Sequence, residues 1–353
     1  MVMAATIYDV ARTACVTATT VSNVLRDKGS VGARTRARVR QAIEQLDYRP
    51  NLIARGLAHQ RSTTLAFLLP SIANPFYPEI ALEIERIADE QGYRLLLCNT
   101  HDDVVRGQAH LDMLVGHRVD GVVAMAGGLL LEDVVAATVR GLPVVLCNWS
   151  EVEHEYTLPA VDIDFRRGSR LAARHLLDLG RRDVAVIVQE TGEGTRTPSH
   201  TQRLDGFVSA LREQGAPMPD DAVCYADGDL ESGYRAAHVL LSRQPRPTAL
   251  FATNDMMALG ALEAAADAGL SVPDDVAVVG FDDISLGAHV RPTLTTVAIP
   301  KRELAAEAMA LLLRLIEGDA APVSATVLPH LVPRRSTARV APLGNIIVAK
   351  GGT

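Results

Sequence analysis

The chain has 353 residues, 48% of them apolar and 22% charged, so it can bury a large core and exceeds the length of one ordinary domain. Its start, Met1-Val2-Met3-Ala4-Ala5-Thr6, lacks the charged and apolar regions of a secretory signal, and no apolar run approaches the ~18–20 residues that cross a bilayer. The net charge of −7 is uneven, with +6 on residues 1–61 and −13 on the remainder, which makes the head the part suited to a polyanion.

Thr6 can cap a first helix, Ile7-Tyr8-Asp9-Val10-Ala11-Arg12, whose apolar residues recur at helical spacing. After Ala14-Cys15-Val16, Thr17 can cap a second helix from Ala18 through Leu25. In it Val21, Val24 and Leu25 share a face able to pack on Val10 and Ala11. Two short helices joined by a tight turn form a helix-turn-helix unit, whose second helix enters the major groove of DNA. The small polar face of Ala18, Thr19, Ser22 and Asn23 lets the backbone approach base edges, and Asn23 can pair bidentately with adenine. A third helix, Thr35 to about Leu46, is expected to bury Val39, Ile43 and Leu46 and to show Arg36 and Arg40 one turn apart. The same pattern suits a small three-helix bundle with no ligand. The next stretch, Tyr48 to Ala58, points elsewhere. Pro50 closes the bundle, and Asn51 can cap one short helix that contains Gly56 and cannot be stable alone. Leu57 would then be an apolar residue with no core to enter.

From Ser62 apolar runs alternate with amphipathic stretches. Expected strands are Leu65–Leu69, Arg94–Cys98, Gly121–Met125, Val144–Cys147, Val184–Val188, Ala249–Thr253 and Val276–Phe281. Strands alternating with helices imply parallel sheets covered on both faces, with ligands at the carboxyl ends of the strands. Asn99, Asn148, Asn254-Asp255 and Asp282-Asp283 directly follow apolar strands. Each could simply cap the next helix; together, with Phe76, Tyr77 and Trp149 available to stack on a ring, they favour a polar ligand cleft.

Two sets of residues carry a family resemblance. In the head they are Ile7-Tyr8-Asp9-Val10-Ala11, Thr20-Val21-Ser22, Val24-Leu25, Thr35-Arg36, Val39 and Tyr48-x-Pro50-Asn51-x-x-Ala54-x-x-Leu57. In the body they are Asn74-Pro75-Phe76-Tyr77, Gln202-Arg203-x-x-Gly206-Phe207, Asn254-Asp255-x-x-Ala258-x-Gly260, Val279-Gly280-Phe281-Asp282-Asp283 and Pro292-x-Leu294-Thr295-Thr296-Val297. They resemble the LacI/GalR transcriptional regulators. The resemblance implies an all-α helix-turn-helix head before an α/β core of two Rossmann-like subdomains, similar to type I periplasmic-binding proteins. It implies a head over residues 1–50, a hinge helix and linker over 51–62, a core over 63–339, and a tail over 340–353 expected to be disordered. Within the core, the first subdomain would comprise about 63–162 plus 292–324 and the second about 163–291 plus 325–339.

By the same resemblance Ala18, Thr19 and Asn23 read bases, while Thr6, Thr20, Ser22, Thr35 and Asn51 lie near phosphates. Leu57 wedges between central base pairs in the minor groove, and Thr17, Arg55 and Ala58 complete the expected DNA contacts. Arg203, Asn254 and Asp282 match the commonest effector contacts and Phe76, Asn148 and Ser199 match more weakly, while Trp149 joins the expected effector site as a ring able to stack. The expected partners are double-stranded operator DNA, a small-molecule effector (a sugar first, a nucleobase second) and a second copy of the chain, in the cytoplasm at the nucleoid and without a membrane. Two residues depart from the pattern. Cys15 stands where a turn glycine is usual, and Gly32 stands where a serine caps the third helix.

Catalytic signatures are not found: no G-x-S-x-G, H-E-x-x-H or G-x-x-x-x-G-K-[ST] occurs, and Gly192-Glu193-Gly194 falls short of G-x-G-x-x-G because Thr197 holds the last position. The four cysteines show no C-x-x-C pair and the ten histidines no metal-ligand spacing, so neither cofactor nor metal is expected. An enzyme of sugar or nucleotide chemistry would need such groups. A solute-binding transport protein would share the core but not the basic head.

Overall fold

The computed structural model describes residues 5–25, 27, 29–49, 62–149, 158–190, 197–319 and 324–338. Met1–Thr63 and Thr64–Thr353 form two separate compact units.

The head contains α1 (Ile7–Thr13), α2 (Ala18–Leu25) and α3 (Ala33–Gln45). Thr6 and Asp9 form a reciprocal capping box at α1, the Thr6 hydroxyl region accepting from Asp9 N and the Asp9 carboxylate from Thr6 N. Val10, Ala11, Val21, Val24, Val39, Ala42 and Tyr48 make the core, with Ile43 and Leu46 packed against it. Leu25 stays exposed rather than joining Val21 and Val24, because it ends the helix. Cys15 has φ +52°. Its amide donates to Arg12 O while Val16 N donates to Ala11 O, the crossed pair of a left-handed helix terminus. Gly32 precedes α3 in extended geometry and supplies no side-chain cap.

The body holds two six-stranded sheets. The first is ordered β11 (Ser324–Val327), β5 (Ala160–Ile163), β4 (Val144–Cys147), β3 (Gly121–Met125), β1 (Thr64–Leu69), β2 (Arg94–Asn99), all parallel. The second is ordered β12 (His330–Val332), β10 (Thr295–Ala298), β9 (Ala277–Asp282), β8 (Ala249–Ala252), β6 (Val184–Gln189), β7 (Val223–Ala226), with only the β10–β12 pair antiparallel. On the first sheet α4 (Phe76–Glu90) and α11 (Lys301–Ile316) cover one face, and α5 (Val104–Gly116) and α6 (Leu131–Val139) the other. On the second, α7 (Phe165–Asp178) packs against α8 (Pro198–Glu213), and α9 (Leu230–Leu241) against α10 (Asp255–Asp267). The central strands are buried on both faces, which is why they read as unbroken apolar runs. Gly206 lets α7 and α8 touch: a Cβ there would collide with the Arg166 carbonyl.

The chain crosses between subdomains three times, after β5, after β10 and after β11. One expected boundary is thereby corrected. Residues 292–298 belong to the second subdomain, because β10 pairs with β9 and β12, and the chain returns to the first only at α11. Likewise β11 reaches Val327 within the first sheet, three residues past the expected crossing. Among the described residues no helix is long and apolar enough to cross a membrane.

Candidate functional site

In the head, the Thr17 hydroxyl accepts from Thr20 N at 3.2 Å and lies 3.0 Å from the Thr20 hydroxyl, so Thr17 caps α2. That cap fixes where the helix starts and places Thr19 exposed, with Ala18, Thr20, Ser22 and Asn23 half-buried. Thr35 is half-buried on α3, and Arg36 beside it is paired with Asp27. The Thr6 hydroxyl donates to Asp9 Oδ2 at 2.7 Å, and these hydrogen bonds hold the Asp9 carboxyl below its usual range. Asn51, Arg55, Leu57 and Ala58 lie outside the described residues, as does the tail over 340–353.

In the body, the carboxyl ends of the two sheets approach one another. Ser285 N, after β9, donates to Glu79 Oε1 on α4 at 2.8 Å, and Lys301 Nζ on α11 donates to Asp283 O at 2.6 Å. Arg203 and Asp282 occupy the second subdomain's side. Their charged groups lie 3.2 Å apart, 4% and 3% exposed, so neither is solvated and each offsets the other. The Arg203 guanidinium also donates to Thr253 O and lies over the rings of Phe165 and Phe281, at 4.6 and 4.2 Å from their centroids. Burial raises the Asp282 carboxyl to about 6, against the opposing pull of Arg203 and Lys301. Behind it Asp255, fully buried, is pushed well above the usual carboxylate range by burial and then by Asp282. It accepts from Thr296 Oγ1 at 2.5 Å and Ile284 N at 2.8 Å.

Several side chains here keep polar atoms without partners. Among the described residues, Asn99 Oδ1, Asn148 Oδ1, Asp162 Oδ1, Ser169 Oγ, Arg203 Nε and Asp282 Oδ1 are enclosed yet make no hydrogen bond. The Arg203–Asp282 contact is thus an ion pair lacking hydrogen-bond alignment at Oδ1. All except Ser169 sit at or near the carboxyl ends of β2, β4, β5 and β9 or on Arg203 itself. Backbone strain gathers at the same ends: Asn148 has φ +59°, Asp282 +111° and Asp283 +54°. Such conformations cost free energy for residues other than glycine and persist where the surroundings impose them.

The remaining expected contacts divide. Ser199 is buried, its hydroxyl 2.9 Å from that of Thr197. Asn254 is buried and spent within the protein. Its Oδ1 accepts from Met257 N, capping α10, and its Nδ2 donates to Gln189 Oε1 and Gly228 O, both at 2.9 Å. Its capping role, rather than a free amide, is what the structure presents. Phe76 begins the buried stripe Phe76-Ile80-Ile84-Ala88 of α4, so its ring belongs to the core. Tyr77, one position on, points its hydroxyl into the field of Asp102, Asp282 and Arg203, and burial followed by the two carboxylates raises it far above a normal phenol. Trp149 packs on the cluster under α5 and α6. Phe165 is thus a site residue with no sequence signal of its own, and Phe281 stood out only within a motif at a strand end, whereas Tyr77 and Asp255 were already among the cleft candidates. Among the described residues no three His, Cys, Asp or Glu side chains gather to hold a metal.

Comparison with known proteins agrees with both halves. Residues 6–51 match the profile of bacterial regulatory proteins of the lacI family, and residues 173–337 match a periplasmic binding protein-like domain. Catabolite control protein A of Priestia megaterium is 36% identical over 337 residues, covering 96% of this chain and all of that protein. The lac repressor dimer bound to operator and the anti-inducer ONPF superimposes with a TM-score of 0.81 at 28% identity, covering 96% of this chain and 100% of that one. A transcriptional regulator CelR–cellobiose complex gives 0.69 at 31% identity, covering 94% and 99%. With a basic helix-turn-helix head, two crossed α/β subdomains and relatives aligned along nearly its whole length, the chain belongs to the lacI family of bacterial regulatory proteins.

Proposed function

We propose that the chain is a sequence-specific transcriptional repressor that binds a pseudo-palindromic operator as a homodimer and is controlled by an uncharged, hydroxyl-rich small molecule, a sugar or sugar derivative, held between its subdomains. The observation that carries the effector half is the gathering of enclosed, unpartnered polar atoms at the strand ends: Asn99, Asn148 and Asp162 on one side, Arg203 and Asp282 on the other. Buried polar groups are normally satisfied, and a ligand rich in hydroxyls supplies both donors and acceptors. Arg203 and Asp282 already balance, so a charged ligand would leave a net charge enclosed. A nucleobase is the second choice, stacking on Tyr77. The cellobiose complex of a relative supports the sugar.

The DNA half is supported by the capped α2 with its small polar face and by the operator complex of the lac repressor. Exposed Leu82 on α4 and Leu96 and Leu97 on edge strand β2 form apolar surface on the first subdomain, fitting a second copy of the chain. In this reading the protein is a cytoplasmic regulator and not an enzyme.

The direct test is selection from random duplexes with purified protein at about 100 mM salt, since phosphate-driven affinity collapses at higher salt. Enrichment of a two-fold symmetric site is expected, and Leu57→Ala should weaken binding to it. No enrichment, with or without sugars and purines present, would refute the repressor reading.

A further inference from the structure

We propose that His200 is a specificity-determining effector contact: a neutral imidazole whose Nε2–H donates to an acceptor oxygen of the bound molecule. This rests on reading the space between the subdomains as the effector site.

His200 lies in the first turn of α8, three residues before Arg203, and is 8% exposed. Its Nδ1 lies 3.0 Å from Thr253 Oγ1. The Thr253 side chain, wholly enclosed, already accepts the Gln189 backbone N–H at 3.0 Å. Its hydroxyl has one proton to give, and among the described residues the only acceptor within reach is His200 Nδ1. An enclosed hydroxyl rarely leaves its proton unspent. Thr253 therefore donates to Nδ1, and the ring's own proton resides on Nε2. The ring stays neutral: burial and then the Arg203 cation both oppose a second proton.

That leaves Nε2 a donor with no acceptor among the described residues, on the side of the ring turned away from Thr253. Thr253 ties His200 to the pair beside it, because its carbonyl accepts from Arg203 while its hydroxyl orients His200. Arg203 Nε, one turn on, is an enclosed donor without a partner, and Asn148 Oδ1 and Asp282 Oδ1 are enclosed acceptors without one; a ligand that meets His200 Nε2 would offer acceptors to both nitrogens and donors to these oxygens. A hydroxyl or ring oxygen meets His200; a methylene in its place leaves the donor buried and unmatched.

The test measures binding of D-ribose, D-glucose, cellobiose and hypoxanthine to the full chain by calorimetry, for wild type, His200→Gln, His200→Asn and Arg203→Lys. Gln sets an amide nitrogen at the place of Nε2, whereas Asn keeps only a partner for Thr253. For the ligand that binds wild type, Asn should lose about tenfold in affinity and Gln stay within about threefold. A residue that serves only the fold would show the reverse order. Unchanged binding in both His200 variants, with loss in Arg203→Lys, would overturn the role of His200 and leave the effector site standing. No effect in any of the three, or no binding by any compound, would overturn both. Nitrogen-15 spectra of the ligand-free chain give an independent reading. The His200 signal should be that of the neutral Nε2–H tautomer, and Thr253→Val should mix the tautomers. A Nδ1–H ring would refute the proposal.

Discussion

Lys301 Nζ donates to Asp283 O at 2.6 Å while standing 3.1 Å from Glu79 Oε2, so a side chain of one subdomain holds the backbone of the other. Glu79 in turn accepts from Ser285 N, which closes a small ring of contacts beside the strained Asp282-Asp283 turn. Lys301→Met should loosen that ring without unfolding the core, since most of the lysine stem's packing is retained. The expected sign is hydrogen exchange at the Ser285 amide about tenfold faster, matching loss of roughly 1.4 kcal/mol of charge-assisted contact. Exchange at the wild-type rate would mean that Lys301 does not bridge the subdomains in solution.

Asp282 gives the effector a pH window. Its carboxyl, raised by burial to about 6 in the folded chain, titrates near 4 when unfolded. The folded state thus binds more protons between these values, and stability of the ligand-free chain should fall as pH rises from about 4 to about 6. Asp255, also raised, adds to the same slope. Effector affinity runs the opposite way, because an ionised Asp282 is the better acceptor. Titrations from pH 5 to 7.5 should show tighter binding through about 6, and Asp282→Asn should flatten the curve.

Arg203→Met removes the cation from a buried pair and leaves Asp282 uncompensated, a loss of about 3–5 kcal/mol at neutral pH. Adding Asp282→Asn should restore part of it. So should lowering the pH, because Asp282 freed of the Arg203 cation holds a proton more readily than in the intact pair. Urea titrations of the two variants at pH 7.5 and pH 5 check both statements, and a pH-independent deficit would argue that packing against Phe165 and Phe281 dominates.

Cys15→Gly should stabilise the head by about 1 kcal/mol, since a non-glycine residue at φ +52° bears the steric cost of the left-handed region. Denaturation of the full chain followed through the head's own transition measures it. Operator affinity should not fall, because Cys15 precedes the residues of α2 proposed to face the bases.

Much of the architecture was legible because central parallel strands are buried on both faces. Leu65–Leu69, Gly121–Met125 and Val144–Cys147 announce themselves as apolar runs. The strands passed over, β5, β7, β10, β11 and β12, are three or four residues long, and all but β7 carry polar residues: Asp162 in β5, Thr295 and Thr296 in β10, Ser324 and Thr326 in β11, His330 in β12. Their strand character comes from neighbours distant in sequence, and overlooking β10 displaced the expected subdomain boundary. At the site, Arg203 and Asp282 were readable from their motifs, and the structure brings them together. Phe76 was not separable from Tyr77, since the choice turns on which of two adjacent residues begins a helix's buried stripe. Asn254 illustrates a residue type that caps helices and binds hydroxyls with the same atoms. His200 left no spacing to notice, because its partner Thr253 lies on another element.

The triple crossing of the chain has a consequence for damaged copies of the protein. A break anywhere between α10 and β10 would strip β10 and β12 from one sheet and β11 with α11 from the other, so both subdomains would fail together. The head, a separate compact unit with its own core, would be spared. Premature termination or proteolysis late in the chain should therefore yield a fragment that still meets DNA but is deaf to any metabolite, and not a half-responsive regulator.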